Sequence, residues 1–206
     1  MNDDDRVQVL DTEILSDNWY VLKKTTFRYR RADGHSQTLS RETYDRGNGA
    51  TMLLYNLEQR TVILTRQFRY PTYVNGNATG FLIETAAGLL DMARPDDRIK
   101  QEVEEETGFR LLNVEPVFTA YMSPGSVTEQ VFFYTGAYEK RDQVSDGGGN
   151  VSEGEDIEVL EIPFDTAMSM ISQGTICDGK TIMLLQHAAL TIFSSPPVAL
   201  SIAGDV

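Results

Sequence analysis

Glu102, Glu104, Glu105 and Glu106 form the densest group of chemically useful side chains in the sequence. On a 3.6-residue helix, Glu102 shares a face with Glu105 at i+3 and Glu106 at i+4, while Glu104 points elsewhere. Three carboxylates then crowd one edge. Like charges at that spacing repel by roughly a few tenths of a kcal/mol per pair. A divalent cation turns that cost into a gain, and hard ions such as magnesium prefer oxygen ligands. The ordinary alternative is a solvated acidic face. Gly88 in the loop before the helix, Gly108 as its stop and the apolar Ile99/Val103 stripe weigh against it.

The rest of the composition narrows the chemistry. Lys and Arg number 18 against 31 Asp and Glu, a net charge of −13, with two histidines and one cysteine. Cys177 alone forms no intramolecular disulfide or cysteine zinc cluster, and His35 and His187 cannot supply a histidine-rich metal site. A metal here must sit on oxygen. The acidic balance argues against a nucleic-acid partner, which needs clustered cations, but not against a small anion bridged to carboxylates by divalent cations. The N-terminus has neither the basic start nor the apolar core of a signal peptide. Gln186, His187, Pro196 and Pro197 interrupt the longest uncharged stretch, Thr181 to Gly204, so no membrane partner and a cytoplasmic location are expected.

These glutamates need a scaffold. Trp19 to Thr43 predicts two strands around a turn, with Asp33-Gly34 as the hairpin signal. Short apolar runs at Ala50–Tyr55, Thr61–Thr65, Phe81–Thr85 and Val131–Tyr134 read as strands, as does Ile157–Leu160. Pro95 to Thr107 reads as a helix, with Pro95 at an early position, Asp96 and Asp97 facing the N-terminal dipole and Gly108 as the stop. Two further helices are expected near Asp165–Gln173 and Thr181–Phe193. Gly147-Gly148-Gly149 marks a mobile acidic loop. The class is α+β, with an N-terminal β-hairpin unit over residues 1–45, a catalytic domain over 46–193 and a tail over 194–206.

The segment from Gly88 to Phe109 resembles the Nudix box, G-x5-E-x7-R-E-U-x-E-E-x-G-U. Gly88, Glu102, Val103, Glu105, Glu106, Gly108 and Phe109 fit it. The Gly88 to Glu102 interval is one residue short, Gln101 replaces the arginine, and Arg94 stands where the first glutamate would be. Flanking stretches extend the resemblance to the GDP-mannose hydrolase subgroup of Nudix nucleotide-sugar pyrophosphatases. Among them are Tyr44–Ala50, Arg66–Arg69, Val74–Asn77, Tyr121–Gly125 with Val127–Glu129, Glu155–Glu161 and Asp178–Thr181. Resemblance implies an α/β/α sandwich with a mixed central sheet and magnesium, with manganese as a substitute. It places the metal on Glu102 and Glu106, with Glu105 as an additional or water-mediated ligand and the Ala87 carbonyl recruited.

By the same resemblance the general base is Glu155, with Glu153 as its nearest substitute, and substrate contacts fall on Trp19, Ser40, Arg41, Glu42, Arg69, Glu129 and Lys180. A homodimer in which the N-terminal hairpin serves the partner's site is also implied. The activity implied is hydrolysis of a nucleoside diphosphate sugar such as GDP-mannose. ADP-ribose is the nearest alternative, because Ser123-Pro124-Gly125 with Glu129 also occurs in that relative, and a non-catalytic nucleotide-binding module is an alternative of another class. Gly174–Thr181 satisfies the P-loop pattern. It follows a helix rather than a buried strand, however, and too little chain remains for a nucleotide-binding domain.

Overall fold

The computed structural model describes residues 6–194; the acidic start and the tail from Ser195 onward lie outside the described residues. Strands β1 (Val7–Asp17), β2 (Val21–Arg30) and β3 (Ser36–Asp45) form an antiparallel sheet in that order. The expected hairpin is β2–β3, in register from Val21 opposite Asp45 to Arg30 opposite Ser36. Its turn closes with the Gly34 N–H on the Arg31 carbonyl (3.1 Å) and the His35 N–H on the Asp33 carboxylate (3.0 Å). β1 is an additional strand. Its register shifts at Val9/Asp11 and Ile14/Ser16, and those irregularities break the strict alternation by which a strand is read from sequence.

The second sheet contains β4 (Gly49–Asn56), β5 (Thr61–Phe68), β6 (Phe81–Glu84), β7 (Ala86–Leu89), β8 (Glu115–Tyr121), β9 (Gln130–Ala137) and β10 (Glu158–Pro163). Its order is β10-β5-β4-β9-β8, with β6 on β5 and β7 on β4, and only β4 and β9 pair in parallel. The helices are α1 (Tyr70–Val74), α2 (Pro95–Thr107), α3 (Phe164–Ser172) and α4 (Gly179–Thr191). Side chains alternate between two cores. Met52, Leu54 and Ile63 join Ile99 and Val103 of α2, whereas Leu53, Val62, Leu64 and Phe133 join Phe164 and Ala167 of α3 and Leu184, Leu185 and Ala188 of α4. Burial on both faces explains why β4 and β5 read as continuous apolar runs. The expected α/β/α sandwich is what forms. No helix among the described residues is long and apolar enough to cross a membrane.

A divergence in this sheet makes room for the site. β4 and β5 pair only from Leu54 opposite Ile63 to Asn56 opposite Thr61. Beyond that point β4 takes β7 as its partner over Gly49–Met52, and β5 takes β6 over Thr65–Phe68. Thr85 is the corner between β6 and β7. Its N–H donates to Thr181 Oγ1 at 2.8 Å, its hydroxyl lies 2.8 Å from Thr51 Oγ1, and Thr51 donates to the Ala86 carbonyl at 3.0 Å. The Thr181 hydroxyl donates in turn to Asp178 Oδ2 at 2.6 Å, and Asp178 caps α4 through the Thr181 N–H. All three threonines are fully buried. The P-loop-like run therefore uses its threonine hydroxyl to fasten α4 to the sheet corner.

Replacing Thr181 by valine keeps the shape but leaves the buried Thr85 N–H without its acceptor. We expect Thr181→Val to lower stability by about 1–3 kcal/mol in urea unfolding, with Thr181→Ser costing less because the oxygen remains.

Candidate active site

The glutamate helix buries part of its charge. Pro95 opens α2, Asp96 and Asp97 occupy its first turn, and Gly108 closes it at φ 79°, a left-handed conformation suited to glycine. Ile99, Glu102, Val103 and Glu106 face inward, a spacing of i, i+3, i+4, i+7. Glu102 is 6% and Glu106 1% exposed. Glu105 stands about 100° further round the helix than Glu106 and is exposed. Of the three carboxylates expected on one edge, two are enclosed and the third lies on the surface.

β7 receives these two acids. The Ala87 N–H donates to Glu106 Oε2 at 3.3 Å. A Cβ on Gly88 would fall 2.0 Å from Glu102 Oε1, so only glycine admits the carboxylate there. Glu102 Oε1 also lies 2.5 Å from Arg98 Nη2, whose Nε–H is held by the Leu89 carbonyl at 3.0 Å.

The glycine loop, expected to be a mobile acidic loop, makes hydrogen bonds to the end of α2. Gly148 and Gly149 donate to the carbonyls of Glu106 (2.9 Å) and Glu105 (3.1 Å), and Val144 and Ser145 donate to that of Gly108 (2.8 and 3.3 Å). They satisfy carbonyls that a helix end leaves without intrahelical partners. A Cβ on Gly147 would meet the Glu106 carbonyl at 2.5 Å. The loop carries Glu155 into the site: its Oε2 accepts from the Asn150 N–H at 2.8 Å. Glu153 closes the short 3-10 turn Val151–Glu153 of this loop.

Burial pushes the Glu106 pKa up to about 8, and the charges of Glu102 and Glu155 push the same way against Arg69 and the Ala87 N–H. Glu106 thus feels the charge of both other acids. Among the described residues, no group of three or more His, Cys, Asp or Glu side chains is drawn into a ready-made metal cluster.

A second charge cluster borders the first. Glu84, 3% exposed at the end of β6, accepts from Arg69 Nε at 2.7 Å and from Lys180 Nζ, and Lys180 also lies 3.0 Å from Asp178 Oδ2. Burial acts to raise the Glu84 pKa, but Lys180 and Arg69 outweigh it and hold the carboxylate below its usual range. Glu84, Asp178 and Arg98 were not singled out from the sequence. Their signals were a lone acid closing a short apolar strand, an Asp three residues before a helical threonine, and an i,i+4 Arg–Glu pair.

The other expected contacts divide into two groups. Glu129 lies 3.5 Å from Arg46 Nε, and Arg46 stacks over Tyr20, which packs edge-on against both Tyr44 and Trp19. Trp19 is 81% exposed in the turn between β1 and β2, neither in a strand nor in the core of this chain. Ser40, Arg41 and Glu42 sit in the middle of β3. Ser40 bonds Thr26 at 2.9 Å and Arg41 donates to the Ser40 carbonyl at 2.8 Å, so their contacts stay within the N-terminal sheet. Arg94 is exposed before α2 and pairs with Asp96, away from the buried glutamates.

Comparison with known proteins agrees with this fold. A solved structure of an ADP compounds hydrolase superposes with a TM-score of 0.69 over 92% of this chain and 95% of its own, at 14% identity, which speaks to the fold. Residues 6–44 match the model of the GDP-mannose pyrophosphatase NudK N-terminal domain. With relatives about half identical in sequence, this fold is that of a Nudix hydrolase, an enzyme acting on phosphorus acid anhydrides. The GDP-mannose pyrophosphatase of Pectobacterium atrosepticum is 52% identical over 89% of this chain and 94% of its own, and that of Yersinia pestis (strain Pestoides F) is 50% identical over 92% and 95%. The chain belongs to the GDP-mannose pyrophosphatase family.

The raised Glu106 pKa has a sign that can be measured in the metal-free protein. The folded state holds a proton up to about pH 8, whereas the ordinary carboxyl releases it near 4.5. The resulting stability is fully present below the lower value and is lost as pH rises toward the upper one. In EDTA, the thermal midpoint of the wild type should therefore fall relative to that of Glu106→Gln between about pH 5 and pH 8.5; parallel curves would contradict the assignment.

Proposed function

We propose that the protein hydrolyses the pyrophosphate bond of a nucleoside diphosphate sugar, GDP-mannose, to GMP and mannose 1-phosphate, with magnesium as cofactor and manganese as a substitute. The observation that carries this reading is the buried pair Glu102/Glu106 against Gly88 and Ala87, in a chain half identical to GDP-mannose pyrophosphatases along nearly its full length. The donor set fits the cofactor. It is all oxygen, and two enclosed carboxylates near a third, only partly offset by Arg98 and Arg69, favour a hard divalent cation. Glu102, Glu106 and the Ala87 carbonyl would hold the ion, with Glu105 at the rim. When bound, magnesium supplies charge neutralisation at the phosphate oxygens.

The chain's own groups supply the remainder. Glu155, held by the Asn150 N–H, accepts the proton of the attacking water, with Glu153 on the same loop as the alternative base. Arg69 and Lys180, fixed by Glu84, bind phosphate oxygens that the acidic surface would otherwise repel. Glu129 lines the sugar-nucleotide path, and Trp19 offers an exposed ring for a base. Ser40, Arg41 and Glu42 make their contacts within the N-terminal sheet, which supports a homodimer in which they serve the partner's site. The exposed apolar Val7, Val9 and Ile14 of β1 support the same assembly.

With Mg2+ and GDP-mannose we expect release of GMP and mannose 1-phosphate, reduced at least about 10²-fold in Glu155→Gln, the usual lower bound for losing a general base, and abolished in Glu106→Gln. Faster turnover of ADP-ribose would replace the substrate, and tight nucleotide binding without turnover would replace the activity. Light scattering should give twice the chain mass; a monomer at assay concentration would remove the shared site.

A further inference from the structure

The box pattern does not account for Arg98. At position 101, where the pattern has arginine, this chain carries an exposed Gln101. Position 101 is rotated about 100° from Glu102, whereas position 98 stacks directly beneath it at i−4. Arg98 uses that stacking. Its Nη2 lies 2.5 Å from Glu102 Oε1, with side-chain exposures of 24% and 8%, so the pair is largely withdrawn from water. Its Nε–H is committed to the Leu89 carbonyl at the end of β7. One guanidinium thereby joins the carboxylate of α2 to the strand on which Ala87 and Gly88 lie. Gly88 closes the other side: any Cβ there would overlap the Glu102 carboxyl group. Glu102 is pinned between a missing side chain and an anchored arginine.

We propose that Arg98 is a positioning residue that fixes the Glu102 carboxylate for a divalent cation and thereby sets the cation affinity of the site. The inference rests on the reading of Glu102 as a metal ligand. An ordinary i,i+4 pair contributes only to the helix. Here one guanidinium makes an ion pair to Glu102 on α2 and a hydrogen bond to Leu89 on β7, a combination that a lysine ammonium on a flexible stem cannot reproduce in the same geometry. Partners of this kind, which orient a metal ligand, typically change metal affinity by about 10–100-fold when removed.

The test needs no substrate. Mn2+ binding to the full chain is titrated by electron paramagnetic resonance for wild type, Arg98→Ala and Arg98→Lys, and thermal unfolding is followed in EDTA. We expect Mn2+ to bind at least about tenfold more weakly to Arg98→Ala. Arg98→Lys should recover only part of the loss while its EDTA unfolding midpoint stays near that of the wild type. Wild-type affinity in Arg98→Ala, or in Arg98→Lys should the alanine variant not fold, overturns the proposal. A wild type that binds no Mn2+ overturns the metal reading and this inference with it.

Discussion

The structure turns on the burial of two carboxylates, Glu102 and Glu106, where α2 meets β7. Ionised groups in low-dielectric surroundings are costly unless paired, and two acids on successive turns also repel each other. The fold answers locally. Arg98 bridges Glu102, the Ala87 N–H reaches Glu106, and Gly88 gives way so that the carboxyl fits against the backbone. What remains uncompensated is visible in the pKa of Glu106, driven up by burial and by its acidic neighbours. A proton on Glu106 relieves that charge, and a cation placed beside the two acids would do the same.

The adjoining cations obey the same logic with the signs reversed. Arg69 and Lys180 are placed beside the acids by a buried anion of their own, Glu84, with Asp178 as a further partner of Lys180. Asp178 also caps α4, and the Thr181 hydroxyl that it orients reaches the Thr85 N–H at the sheet corner. Helix start, sheet corner and cation cluster are thus one connected unit. The divergence of β4 and β5 is what opens this corner, because each parted strand needs a new partner and the Phe81–Leu89 segment provides both.

Much of the fold was legible because the relevant signals are local. Pro95, the Asp96/Asp97 turn and Gly108 delimit α2 without reference to anything distant, and the apolar runs of β4, β5 and β9 follow from burial on two faces. β7 was not legible: Ala86-Ala87-Gly88-Leu89 has no strand-forming bulk, and its conformation is imposed by pairing with β4. β1 escaped because register shifts spoil its alternation. The anchoring of the glycine loop was not legible, because it comes from the unpaired carbonyls of α2, which are far away in sequence.

The sequence by itself determined that cysteine and histidine are too scarce for a metal cluster of their own, that Glu102 and Glu106 lie one turn apart on one helix face, and where the helix carrying them begins and ends. Those properties follow from residue chemistry and the 3.6-residue period. Only the tertiary structure decided that Glu102 and Glu106 are enclosed while Glu105 is not, that Gly88 is required for the approach of a carboxylate, and that Arg98 pairs with Glu102 and Glu84 with Arg69 and Lys180. Burial and salt-bridge partners depend on which surfaces meet, and periodicity along one helix carries no record of the strand that will cover it.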